Sequence, residues 1–364
     1  RDYVGVDAGQ FLIFRGDRFT AWLSRQLRDR RPYDQIVSDM LSHSGVWTGA
    51  GEVNFLTSAY ANDEFDANKL AARTARAFLG QRIDCAQCHD HPFDHWKQSD
   101  FEGLAAHFGR LGLSLAGVVD KLDREFAIRE SEDAPPRKVA PAVPFQGDWL
   151  PQAGSERERL AAWITHPENR RFDRAIANRV WGLMFGRPFV ARVRIRVSES
   201  TTQAAQSLDA TWVWSDRAVD DLPDPDDPRF GQQLELLDIL GRDFRAHGCD
   251  LRRLVQVIAA SAAFKLDSIH PELAYVDPRE LEAAELDLVH LRREQLEARW
   301  AVFPLIRLRP EQVIGSSARS IRTRISLCER NGSFASETSS TSLETPAQTN
   351  WSSGPEPSSR HCCG

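Results

Sequence analysis

No apolar run in the sequence approaches the roughly eighteen residues that a membrane-spanning helix needs, so no segment is expected to cross a bilayer. An excess of positive charge is also missing: 46 Lys plus Arg stand against 52 Asp plus Glu, a formal net charge of −6. The basic residues are scattered rather than gathered into a stripe, which excludes nucleic acid as an expected partner. The first residue is Arg1 rather than Met, and Phe11-Leu12-Ile13-Phe14 is too short for the apolar core of a signal peptide. The chain therefore reads as an N-terminally truncated fragment whose export signal is missing. There is no Ser-His-Asp arrangement, phosphate-binding glycine loop or dinucleotide fingerprint. No catalytic constellation is identified, and the reading leans away from an enzyme acting on its own. Six cysteines do not make a disulfide framework, because Cys249 and Cys328 stand alone and Cys362-Cys363 are adjacent at the end.

The remaining two carry the most specific motif of the chain, Cys85-Ala-Gln-Cys88-His89. Cys-x-x-Cys-His is the spacing that attaches a c-type haem: two thiols add to the two vinyl groups of one porphyrin, and the adjacent imidazole becomes an axial ligand. Haem c is the leading cofactor, with Cys85 and Cys88 as thioether anchors, His89 as axial ligand and electron transfer as the associated role. The distal side has four candidates, His107, His43, Met40 and Met184, and none has supporting spacing. Directly after the motif, Asp90, His91, Asp94 and His95 crowd carboxylates and imidazoles into one loop that ends at Trp96. Three other readings stay open. Cys85 and Cys88 with His91 or His95 suit zinc or iron in a structural or interaction module. His89, His91, His95, Asp90 and Asp94 supply the ligand types of a hydrolytic metal centre. The cysteine pair could also be a simple disulfide.

Apolar periodicity predicts a mainly α protein: two helical domains joined by a Pro-rich linker, with a disordered C-terminal tail. The first domain is placed at 1–129. Phe19, Trp22, Leu23 and Leu27, then Tyr33, Ile36, Val37, Met40 and Leu41, give two helices broken at Arg31-Pro32. Asp66 to Leu79 reads as another helix closed by Gly80, and Ser99 to Phe108 as the next. The linker, 130–153, carries Pro135-Pro136, Pro141, Pro144 and Pro151. The second domain, 154–315, opens with the capping box Ser155-x-x-Glu158. It continues through a helix from Phe172 to Phe185 closed by Gly186, and through two more, the second capped by Asp250. Asp277-Pro278 is read as the start of a long charged helix to Trp300. Residues 192–218 are taken as an irregular insertion, and 316–364 as a Ser-rich tail that buries too little apolar surface to fold.

The stretch from Phe78 to Asp94, which includes Cys85-Ala-Gln-Cys88-His89-Asp90-His91-Pro92-Phe93-Asp94, resembles the signature of planctomycete-type exported proteins. These pair a cytochrome-associated domain of unknown function (PSCyt-type) with a second one (PSD-type). Leu160 to Thr165, Asn178 to Arg187 and Arg307 to Gln312 are similar to PSD-type markers in the same order. The resemblance implies a helical, exported, periplasmic protein, with a cytochrome c module or another exported redox protein as partner. In the family the Phe-Gly-Arg segment runs into Val-Asp-Asp-Leu-Pro within a few residues. Here 191–218 intervene between Val190 and Val219, and that interruption and the tail are read as the product of frame errors.

Overall fold

Pro32 separates the first two helices, as expected. In the computed structural model, α1 covers Gly16–Arg28 and α2 covers Tyr33–Ser42. The structure describes residues 14–92, 94–129, 134–190, 219–225, 227, 230–273 and 282–304. The chain divides into two compact units, 1–306 and 307–364, and every described residue lies in the first. The expected insertion at 192–218 and tail at 316–364 fall outside the described residues.

After the short α3 (Asn54–Thr57) and the two-residue hairpin β1–β2 (Tyr60–Ala61, Glu64–Phe65), α4 runs from Ala67 to Thr74, its first turn closed by the Asp66 carboxylate on the Lys69 N–H. The sequence predicted one helix to Leu79. The chain instead widens into a π turn over Ala75–Leu79 before stopping at Gly80, whose φ of 64° is left-handed. Then come α5 (Gln98–Ala106) and the antiparallel hairpin β3–β4 (Leu111–Ser114, Gly117–Asp120), which the periodicity did not announce. A further strand pair, β5–β6 (Ala127–Ile128, Arg137–Lys138), precedes the second half.

The Ser155 capping box is formed in both directions at the start of α6 (Glu156–Ile164). α7 (Arg170–Phe185) ends on left-handed Gly186, α8 spans Gly231–Ala246, α9 spans Leu251–Ala260 behind the Asp250 cap, and α10 spans Ala283–Ala298. Mainly α is therefore the observed class, the strands among the described residues being small pairs. One apolar cluster joins Ile36, Val37 and Leu41 of α2 to Leu160 and Trp163 of α6, Phe172 of α7 and Phe244 of α8. Tyr33 stacks on Phe172 at 5.4 Å, and the Trp163 indole N–H donates to the Phe145 carbonyl at 3.0 Å, which sets the Pro-rich stretch against α6.

Two titratable groups inside this core, His107 and Asp173, each meet a polar partner. His107, at the end of α5, is buried with Nδ1 3.0 Å from the Glu156 carbonyl, and burial holds its imidazole below the ordinary His range. A depressed folded-state value favours the neutral ring, so its contribution is fully present above about pH 6.5 and is lost as pH falls toward the folded value. Asp173 of α7 acts in the opposite sense. Burial pushes its carboxyl up to about 7 despite the Arg245 guanidinium at 2.7 Å, so its contribution is lost as pH rises from the ordinary carboxylate range to about 7. The two are separable by difference. His107→Gln should flatten the part of the melting-temperature decline that occurs below pH 6.5; an unchanged profile would refute the assignment to His107.

Candidate functional site

The Cys-x-x-Cys-His motif sits just past the Gly80 stop, where the chain makes a 3₁₀ turn over Asp84–Gln87. The turn is fixed at its first residue by a two-pronged pair between the Arg76 guanidinium and the Asp84 carboxylate, at 2.9 and 2.6 Å. Ile83 and Ala86 point into the core, so the intervening side chains are forced outward. Cys85, Cys88 and His89 are all exposed. His89 holds Nδ1 2.7 Å from the Asp90 carbonyl. That is the arrangement in which a ligating imidazole donates one ring N–H to a carbonyl and offers Nε2 outward. Cys249 is the opposite case: buried, it has its thiol pushed up to about 12, chiefly by desolvation. Iodoacetamide on the native, reduced protein should therefore label Cys85 and Cys88 at least tenfold faster than Cys249; equal labelling would contradict the burial.

The loop beyond the motif is closed by the His91 N–H donating to the Trp96 carbonyl at 2.8 Å. The residues grouped as candidate metal ligands part company here. His91 is only 6 % exposed. Asp90 accepts the Gln98 N–H at 2.9 Å and so caps α5. His95, in contrast, places Nδ1 2.8 Å from Asp94 Oδ1 and 3.1 Å from Asp224 Oδ2. Asp94, His95 and Asp224 each offer a ligand atom, all within 4.8 Å of one another. Asp224 was not found from the sequence. Its only signal in the sequence is the run of acidic residues after Val219. The Arg171 guanidinium donates to Asp224 at 2.7 Å and lies between the Trp96 and Phe145 rings, 5.3 and 5.2 Å from their centroids. Phe93 lies outside the described residues.

The four distal candidates are engaged elsewhere. His107 Nδ1 faces the Glu156 carbonyl, His43 Nε2 is 3.2 Å from Glu52 Oε1, Met40 is buried on the core-facing side of α2, and Met184 packs on the core.

Residues 14–112 match the family model PSCyt2, protein of unknown function (DUF1549), and residues 156–195 match PSD1, protein of unknown function (DUF1553). No curated protein and no solved structure matches the chain. The motif turn and its loop thus lie within the first match, and α6 and α7 within the second. The chain carries a PSCyt2 segment followed by a PSD1 segment, the combination that the Phe78 to Asp94 stretch and the Leu160 and Asn178 markers pointed to.

Proposed function

We propose that the turn from Cys85 to His89 is a covalent attachment site for a c-type haem, and that the protein serves electron transfer outside the cytoplasm. One observation carries the reading: two thiols and an imidazole leave the same short turn into solvent, with the imidazole oriented through the Asp90 carbonyl. The group, when bound, supplies a one-electron iron couple. Cys85 and Cys88 would hold it by adding their S–H bonds across its vinyl groups, and His89 would present Nε2 to the iron. The buried apolar residues Ile83, Ala86 and Trp96 keep the turn's inner side anchored. An exported cytochrome c module or a similar redox protein is the partner class that suits this chemistry.

The test is to express the chain with an export signal in a host that attaches haem. A Soret band that survives denaturation is expected, weakened in Cys85→Ala or Cys88→Ala and abolished in the double variant. Stoichiometric zinc with no such band overturns the reading. A second reading rests on the Asp94, His95 and Asp224 donors, which suit a divalent cation. It ranks lower because Arg171 already neutralises Asp224. Metal analysis of the chain with both cysteines replaced distinguishes it, because that site would keep its ion.

A further inference from the structure

The motif turn lies within the first matched segment, where Arg76 and Gln98 already hold it, yet further residues that fasten both its flanks come from beyond residue 170. Val219 to Asp224 runs alongside it as a strap. Its root is held on α7, where the Val219 carbonyl accepts from Asn178 Nδ2 at 3.3 Å. Upstream of the motif, the Leu222 N–H donates to the Gly80 carbonyl at 2.8 Å, and Gln81 Nε2 returns a buried bond to the Leu222 carbonyl at 3.0 Å. Arg82 Nε donates to Asp220 Oδ1 at 3.1 Å. The Leu222 side chain fills the space over Gly80: a Cβ added there would come within 2.9 Å of Leu222 Cδ1. Downstream of the motif, Asp224 takes His95 at 3.1 Å, and Arg171, stacked on Trp96, closes the far end. The ties thus fall on residues 80–82 and 95–96 and leave Cys85, Cys88 and His89 bare between them.

We infer that the Val219 to Asp224 strap is a positioning element for the motif turn, so that the site is a joint product of both halves. A free loop of this length samples many conformations, and each fixed flank removes part of that freedom. Two thiols and an imidazole that must meet one planar ligand need that order before the ligand arrives. Asp220, Leu222 and Asp224 act through Arg82, Gly80 and His95; they are not themselves ligands in the haem reading. The inference deepens that reading by naming what orders its anchor turn, but its test is run without haem, so the two can fail separately.

Hydrogen exchange of the full chain, read by mass spectrometry, is the experiment. Asp220→Arg places two guanidinium groups face to face, and Asp224→Asn removes the charge facing His95. Each is expected to speed exchange across residues 80–98 about tenfold, with the peptide covering α2 unchanged. The reciprocal swap, Arg82→Asp with Asp220→Arg, should bring exchange in 80–98 back to the parent rate, a rescue that mere loss of packing would not give. Unchanged exchange in both single variants overturns the inference. So does equal acceleration in α2, or a swap that behaves like the single change.

Discussion

Arg157→Met should lower the free energy of unfolding by about 3–5 kcal/mol, the range for breaking a buried ion pair from one side. Arg157 stands in the first turn of α6 and is 1 % exposed. All five of its N–H donors are used. Nε and Nη2 take the two Asp120 oxygens at 2.8 and 3.0 Å, Nη1 takes the Leu41 and His43 carbonyls at 3.0 Å each, and Nη2 also reaches Ser44 Oγ at 3.0 Å. One side chain thereby joins α6 to the end of α2 and to the β3–β4 hairpin. Methionine fills much of the volume and supplies none of the donors, so two carbonyls and a carboxylate lose their partner at once. Lysine should not rescue, because a point charge cannot reproduce the planar fork. Asp120→Asn on the methionine background should recover part of the loss, since it removes the orphaned charge. Urea titration of the four proteins reads all of this from midpoints; a methionine variant within about 1 kcal/mol of the parent would contradict the count of bonds.

What the sequence made legible was whatever is written locally. Helices at Tyr33–Ser42 and Leu251–Ala260 follow from apolar spacing, and Asp250 there, like Ser155, Gly80 and Gly186 on other helices, marks a helix end by capping chemistry that operates within a few residues. The π turn over Ala75–Leu79 escaped, because widening a helix by one residue changes its hydrogen bonds and barely alters the periodic pattern. The β3–β4 hairpin escaped because four-residue strands joined through Leu115-Ala116 carry too few alternations. At the site, the cysteines and His89 stood out by spacing. The meeting of His95 with Asp224 is a contact between distant parts of the chain that no local spacing encodes. Arg157 was hidden for the same reason: inside a capping box it looks like one more helix charge, and only the fold shows that it is buried.

Asn178→Ala should cost about 2–4 kcal/mol, as the sum of two or three buried backbone groups left without partners. Asn178, in the middle of α7, is fully buried. Its Oδ1 accepts the Val190 N–H at 3.0 Å, and its Nδ2 donates to the Val190 carbonyl at 2.8 Å and the Val219 carbonyl at 3.3 Å. A single amide therefore grips the chain on both sides of residues 191–218. Asn178→Asp is the sharper control: it keeps the shape and the acceptor but loses the two donated bonds and turns an anion toward two carbonyls. It should be at least as damaging as alanine, and an aspartate variant as stable as the parent would refute the role. The same geometry bears on the interruption noted in the sequence. Two carbonyls within 3.3 Å of one nitrogen lie close enough for a very short join, so the fold closes at Val190 and Val219 as though nothing stood between them. Replacing 191–218 with two glycines should then leave the midpoint of unfolding near that of the full chain. Loop-closure entropy favours the shorter connection, by about 0.6 kcal/mol for each halving of its length. If the shortened chain melts far below the parent while Asn178→Ala remains costly, the intervening residues contribute packing of their own, and the α7 clamp is only part of what holds this end of the molecule.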